Sequence, residues 1–326
     1  MPVHNGLPFL SASIESILRQ SFTDFELIIL DDGSTDGSAE VLRHWARKDP
    51  RIHLLATNRK SGLSHSSNLL ASRAQAPLVA RMDADDIAHP DRLRRQWELI
   101  EGNSEIVLVG TLSDGIDSNG KQVRPRDRWR LLRRSPFPPF PHGSVMFRRC
   151  VFEEVGGYGE QCIGWEEHEL FLRMSQKGRI VVVPDVLYSY RYHVDSATLQ
   201  FSPDEAGQIA ELRNSCIEEL RAGRDYQALL NRPRSQRISA RAATAALYMN
   251  AALHLWAGDS RTIFASVLAN PARVWNWERV LLLLWGAWAT TSPGTLRGLM
   301  RSTIRVRDFL AGFRIKDGRS YEWRFE

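Results

Sequence analysis

The sequence predicts an α/β protein, a mixed sheet flanked by helices with a helical extension at the C-terminal end. Three observations point there. Short apolar runs alternate with helical patterns over the first third of the chain, as in βαβ units. Two acidic clusters, Asp31-Asp32-Gly33-Ser34-Thr35-Asp36-Gly37 and Asp83-Ala84-Asp85-Asp86, each follow an apolar run that reads as a buried strand, Leu27-Ile28-Ile29-Leu30 and Pro77-Leu78-Val79-Ala80-Arg81-Met82. Beyond Ser202-Pro203 the patterning turns wholly helical, dividing the chain into residues 1–203 and 204–326.

In order, strands are predicted near 1–4, 26–31, 52–56 and 77–83, in a parallel set, with helices near 8–20, 37–48, 64–75 and 90–102. Pro90 suits a first helical turn behind an acidic loop. Residues 106–113 read as another buried strand, and Asp117-Ser118-Asn119-Gly120 as the turn into a polar strand from Lys121. The run Pro136-Phe137-Pro138-Pro139-Phe140-Pro141 excludes regular structure, because its prolines lack donors and fix their backbone angles; it is expected to form part of an acceptor wall. A strand at 144–148, a helix at 166–177 and two strands at 179–183 and 186–193 follow. The tail is predicted helical near 204–222, 236–257, 273–290 and 295–312. A first strand beginning at Met1 is short for a central position, so either an apolar run encoded upstream or another segment covering the gap is expected.

The chain has 326 residues, 43% hydrophobic and 25% charged, values of an ordinary globular protein. Cys150, Cys162 and Cys216 have neither metal-ligand spacing nor an even count, which argues for a reducing, cytoplasmic setting. Residues 205–326 hold 18 Lys and Arg against 11 Asp and Glu, so the formal charge of +5 becomes +7 for the tail and −2 for the rest. Trp256, Trp275, Trp277, Trp285, Trp288 and Trp323 also lie in the tail. Basic, Trp-rich helices suit peripheral contact with an anionic membrane, or alternatively a helical subdomain with its rings packed inward. The longest apolar stretch, Val280–Ala289, is too short to span a bilayer.

Carboxylates crowded where strands end repel unless a cation or hydrogen-bond donors share their charge. At the ligand edge of an open α/β sheet, a divalent metal with a phosphorylated ligand meets that need. Asp83 and Asp85, two apart in an extended segment, point the same way. Glu166 and Glu167 fall in a predicted first helical turn, where the dipole favours the ionised form. No G-x-x-x-x-G-K-[ST] loop and no G-x-G-x-x-G fingerprint are present.

The chain resembles the family 2 glycosyltransferases over residues 1 to roughly 200, through an ordered set of motifs. These are Met1-Pro2-Val3-His4-Asn5-Gly6, the Asp31–Gly37 cluster, Ala80-Arg81-Met82-Asp83-Ala84-Asp85-Asp86, His142-Gly143-Ser144-Val145-Met146-Phe147-Arg148-Arg149, Gly156-Gly157-Tyr158 with Trp165-Glu166-Glu167, and Tyr188-Ser189-Tyr190-Arg191-Tyr192-His193. The resemblance implies a GT-A fold and an inverting, metal-dependent hexosyl transfer from a nucleotide-diphosphate sugar, UDP-linked by first choice, to a saccharide or lipid-linked acceptor. Cell-surface polysaccharide or glycolipid synthesis and a peripheral site on the cytoplasmic face of the membrane go with it; nucleic acid is not an expected partner.

By the same resemblance Pro2, His4 and Asp32 line the nucleobase side, Asp31 and Arg81 are among the donor-binding residues, Asp83 addresses the ribose or the metal, and Asp85 holds Mg²⁺ or Mn²⁺. Glu167 stands where the family carries its base Asp, with Glu166 as fallback, and His193 aligns with a histidine near the metal. His142 and Arg149 flank a strand on the acceptor side. His4 replaces the more frequent Tyr. Gly62-Leu63-Ser64-His65-Ser66-Ser67-Asn68 lacks the arginine many relatives place there for the diphosphate, leaving Arg59, Lys60 or Arg81 to compensate. A catalytically degenerate scaffold and a nucleotidyltransferase are the alternatives.

Overall fold

The computed structural model describes residues 1–124, 140–197, 203–222, 224–230, 315–316 and 320–323. They belong to two compact units, Met1–Gly115 with Arg124–Arg191 and Phe309–Glu326, and Ile116–Val123 with Tyr192–Asp308.

In the first unit β1 (Pro2–Val3), β2 (Leu27–Asp32) and β3 (Ile52–Thr57) form a parallel sheet in that order. β2 is its middle strand, with Leu30 opposite Pro2 on one side and Leu55 on the other. The expected central place of the first strand is therefore taken by β2. Helices α1 (Leu10–Leu18) and α2 (Ser38–Lys48) supply the crossovers, and α3 (Leu63–Arg73) packs on β1 and β2. Their apolar faces close a core in which Leu10, Ile14, Ile29 and Leu42 are fully buried. Burying such side chains contributes roughly 1.5–3 kcal/mol each.

A second sheet holds β4 (Leu78–Ala80), β5 (Ile87–Ala88), β6 (Ile106–Ile116), β8 (Met146–Arg148) and β9 (Arg179–Arg191), followed in the chain by β10 (Ile315–Lys316) and β11 (Ser320–Trp323). β7 (Gln122–Arg124) follows the predicted turn, which the Asp117 N–H closes on the Lys121 carbonyl at 2.9 Å. Helices α4 (Arg92–Glu101), α5 (Arg149–Glu154) and α6 (Glu166–Ser175) complete the first unit.

Four expectations need correction. The strand predicted at 77–83 ends at Ala80 and runs antiparallel to β8, with Val79 opposite Phe147, outside the parallel set. The two strands predicted across 179–193 are one strand that changes partner, since Ile180–Val182 face β11 while Tyr188–Ser189 face β5. Pro184, with no N–H to give, falls between the two pairings. α4 begins at Arg92, two residues past Pro90. The tail is not wholly helical: α7 (Pro203–Arg221) and α8 (Gln227–Leu230) are helices, but β11, with Trp323, is a strand paired to β9. The helices predicted at 236–257, 273–290 and 295–312, and most of the proline-rich loop, lie outside the described residues. No helix among the described residues is long and apolar enough to cross a membrane.

Arg92 fixes the end of β4 from below. It is fully buried, and its guanidinium donates to the Arg81 carbonyl, to the Val145 carbonyl at 3.4 Å and to Gln96 Oε1 at 3.1 Å. Burial brings its pKa down to about 10, so it stays cationic at neutral pH. Arg92→Met is expected to cost about 2–4 kcal/mol in denaturant unfolding, because the Arg81 and Gln96 acceptors lose a buried donor. A change under about 0.5 kcal/mol, the range of an ordinary surface substitution, would contradict this role.

Candidate active site

Asp31 and Asp32 end β2 and hold different loops. Asp31 Oδ1 accepts the Ser34 N–H at 3.0 Å, closing the turn. Asp32 reaches the loop before α3: Oδ1 accepts the Ser61 N–H at 2.8 Å and the Thr57 hydroxyl at 3.1 Å, and Oδ2 accepts the Gly62 N–H at 3.0 Å. Burial opposes this charge, but donors from Ser61, Ser66, Gly62 and Thr57 outweigh it and hold the carboxyl below its ordinary pKa. A glycine follows the pair because Gly33 has φ +69° and a Cβ there would lie 2.7 Å from the Arg59 carbonyl carbon. His4 Nδ1 is 2.9 Å from the Asp32 carbonyl, beside Pro2 on β1. Asp36 caps α2, accepting the Ser38 N–H at 3.0 Å.

The second acidic cluster is built around an ion pair. Arg81 Nη1 donates to Asp83 Oδ1 at 2.6 Å, with the two side chains 6% and 26% exposed. Burial pulls the Arg81 pKa down, but Asp83, Tyr158 and Tyr188 outweigh it and the net shift is upward. Asp83 thus spends one oxygen on Arg81. Its other oxygen faces Gly143, where a Cβ would stand 2.4 Å from it and 2.0 Å from the Tyr188 hydroxyl, so only glycine lets the His142 loop approach. Asp85 is partly exposed, and its carbonyl accepts from Arg191 Nε at 2.7 Å. Asp86 is buried and accepts the Arg191 N–H at 2.7 Å. Burial, then Asp85 and Asp83, push its carboxyl well above the ordinary range. Three carboxylates in four residues, one of them driven to hold its proton, fit a hard divalent cation such as Mg²⁺ or Mn²⁺ with Asp85 as the accessible ligand.

A third group lies within electrostatic reach of Arg81. His142, Glu166 and Glu167 each offer one ligand atom within 4.8 Å of the others. Glu166 is 7% exposed and Oε2 accepts the Gly164 N–H at 2.8 Å. Burial, then Glu167, push its carboxyl up to about 7, while Arg81 pulls the other way. Glu167 is half-buried, with Oε1 3.2 Å from His168 Nδ1. Burial, then Arg81 and His168, hold His142 well below the usual imidazole range, and its Nε2 lies 2.7 Å from the Tyr158 hydroxyl.

Of the residues singled out from sequence, Arg81, Asp83, Glu166 and Glu167 share one electrostatic neighbourhood with Tyr158. His193 belongs to the second unit, where its N–H is 3.4 Å from Ser196 Oγ. Arg149 is engaged by the Ala76 carbonyl and Glu153, and Arg59 and Lys60 are exposed on the loop that Asp32 holds. Arg81 is committed to Asp83 and buried, which argues against its replacing a diphosphate arginine. Sequence reasoning gave no role to Asn68, Asp86, Arg92, Tyr158 or Tyr188. Tyr158, Asp86, Tyr188 and Asn68 each stand in a segment that the sequence singles out, whereas nothing local marks Arg92.

The sign of the Glu166 shift fixes a pH dependence. A carboxyl raised in the folded chain keeps a proton that the unfolded chain has lost, so stability falls as pH climbs from 4.5 towards about 7. Glu166→Gln is expected to be more stable than the parent by roughly 1–3 kcal/mol at pH 8 and nearly equal at pH 4. Urea unfolding at both pH values checks this; equal stabilities at pH 8 would contradict it.

Residues 1–156 match the family described as "Glycosyl transferase family 2". The chain is 32% identical over 224 residues to "Putative glycosyltransferase EpsE" of Bacillus subtilis (strain 168), covering 62% of this chain and 79% of that one. It is 31% identical over 203 residues to "O-antigen biosynthesis glycosyltransferase WbnJ" of Escherichia coli, covering 59% and 78%. Among solved structures, mannosyltransferase PcManGT from Pyrobaculum calidifontis, in complex with GDP-Man and Mn²⁺, aligns with TM-score 0.57 at 19% identity, over 92% of this chain and 83% of that one. S. aureus TarS 1-349 in complex with UDP-GlcNAc aligns with TM-score 0.52 at 16% identity, over 100% and 95%. The structural likenesses give the GT-A fold, and the sequence matches give the identity: the chain belongs to glycosyl transferase family 2.

Proposed function

We propose that this glycosyltransferase is an inverting enzyme that moves a hexosyl group from a nucleotide-diphosphate sugar to an acceptor hydroxyl in cell-surface polysaccharide or glycolipid synthesis. The observation that carries this reading is the Arg81–Asp83 pair, next in sequence to Asp85 and in electrostatic reach of Glu166. The names of the relatives support the process, and the GDP-Man and UDP-GlcNAc bound by the structural neighbours support a nucleotide-sugar donor. A UDP-sugar is the first candidate.

In this reading Pro2, His4 and Asp32 line the nucleobase. Asp32 is held ionised by its donors, as a carboxylate that accepts from a base N–H must be. Asp85, with the free oxygen of Asp83, would hold Mg²⁺ or Mn²⁺, which offsets charge on the departing diphosphate. Burial, then Glu167, push the Glu166 carboxyl up to about 7, and Glu167, the more exposed of the two, is the candidate base. Glu167 then takes the acceptor hydroxyl proton as that oxygen bonds to the anomeric carbon, while the bond from that carbon to the diphosphate oxygen breaks. Attack from the face opposite the leaving group inverts the configuration.

The donor is identified by thermal shift with UDP-, GDP-, dTDP- and CMP-sugars, with and without Mn²⁺. With that donor, Glu167→Gln is expected to lower transfer by about 10²–10⁴-fold while the donor still raises Tm. Asp85→Ala is expected to abolish the Mn²⁺-dependent part of the Tm rise. Near-parental turnover by Glu167→Gln would remove it from the mechanism, and an unaltered Mn²⁺ effect would remove Asp85.

Peripheral contact with the cytoplasmic face of the membrane rests on the basic, Trp-rich composition of residues 205–326. The full chain is expected to co-sediment with anionic vesicles and to be released as salt rises. Equally weak sedimentation with anionic and neutral vesicles would contradict this.

A further inference from the structure

Tyr158 stands at a junction that the reaction above leaves without a role. It lies between α5 and α6 and is 4% exposed. The Asn68 side chain, on α3, grips its backbone at both ends: Nδ2 donates to the Tyr158 carbonyl at 2.9 Å, and Oδ1 accepts the Tyr158 N–H at 2.8 Å. Arg173, on α6, steadies the preceding residue by donating to the Gly157 carbonyl at 2.7 Å. The ring packs against Phe152, centroids 5.5 Å apart, and His142, 5.3 Å apart. Its hydroxyl, 2.7 Å from His142 Nε2, is therefore held from α3, α5 and α6 at once.

We propose that Tyr158, set in place by Asn68, is a positioning residue for the Glu166–Glu167 pair and acts through His142. This rests on the reading of Glu167 as the base. Burial, with Glu166, Glu167 and Asp83, outweighs Arg81 and keeps the Tyr158 phenol protonated; in this assignment its O–H donates to Nε2, 2.7 Å away. Burial, Arg81 and His168 keep His142 neutral. A neutral imidazole that accepts at Nε2 carries its proton on Nδ1; one ring nitrogen of His142 lies within 4.8 Å of a carboxylate oxygen of both Glu166 and Glu167, and the Nδ1–H is assigned to that pair. A donor there favours the ionised pair and opposes the burial and mutual repulsion that raise it. The charged and titratable groups facing this assembly are Arg81, Asp83, His168, Glu166 and Glu167. Because α3 starts at the loop Asp32 holds, the same helix ties the proposed nucleobase side to the proposed base.

The test is ¹³C-carboxyl NMR titration of the full chain labelled at glutamate, with the two signals assigned through Glu166→Gln and Glu167→Gln. In Tyr158→Phe, which keeps the ring and removes the hydroxyl, the upper midpoint of the pair is expected to rise by about half a pH unit or more. Nucleoside diphosphate release from the donor chosen by the thermal-shift panel, with water as acceptor, is expected to show kcat down about tenfold, the acid limb moved up, and donor KM unchanged. Asn68→Ser, which loosens the grip and leaves the phenol, is expected to move the midpoint in the same direction by less; it stands in if Tyr158→Phe does not fold. An unmoved midpoint in the folded variants overturns the proposal. Normal turnover by Glu167→Gln would instead remove the base reading, and the NMR shift would still decide the contact to the pair.

Discussion

The Arg81–Asp83 ion pair holds the candidate site together. Asp83, Asp85, Asp86, Glu166 and Glu167 bring five carboxyl groups into the surroundings of one strand end, and Asp86 and Glu166 are buried there. Such a group can stay folded only if cations or protons offset the charge. Arg81 supplies the cation between the two acidic sets, Arg92 supplies a second below it, and Asp86 and Glu166 retain protons. Removing one partner of a buried ion pair typically costs about 3–5 kcal/mol, since the other is left uncompensated. The pair is therefore a structural requirement before it is a chemical one. Its commitment takes the Arg81 guanidinium out of reach of a further anion.

Rigidity around this pair comes from short polar ties between distant parts of the chain. Asp32 holds the loop ahead of α3, Asn68 on α3 holds Tyr158, and Arg173 on α6 holds Gly157. Gly143 lets the His142 loop sit against Asp83 and Tyr188. Arg191 holds Asp85 and Asp86 by their backbone and side chain. Each tie satisfies a buried polar group and removes freedom from a loop, so side chains from β2, β4, α3 and α6 keep fixed relations. That suits a reaction in which one oxygen attacks as another departs along a shared line.

Much of this was legible in the sequence. The alternation of apolar runs and amphipathic helices gave β1 to β3 with their crossovers, and the Asp31–Asp32 and Asp83–Asp86 clusters were correctly expected near strand ends. What was not legible depends on partners far away in the chain. β4 is three residues long and apolar, so nothing local sets its direction; β8, nearly seventy residues on, does so. Pro184 reads as a strand break, yet β9 continues through it because its partner changes there. The strand at Ser320–Trp323 is defined by its pairing to β10 and to β9. Arg92 on an amphipathic helix reads as solvated, and its burial follows from carbonyls at Arg81 and Val145. Asn68 and Tyr158 are ninety residues apart, a separation no periodicity can bridge.

The most direct test is an anomalous difference map from crystals grown with Mn²⁺ and the donor that the thermal-shift panel selects. The expected result is a Mn²⁺ peak within about 2.3 Å of an Asp85 carboxylate oxygen, with the diphosphate on the same ion and the anomeric carbon facing Glu167. A peak on His142, Glu166 and Glu167, or a donor whose anomeric carbon faces away from that pair, would contradict it.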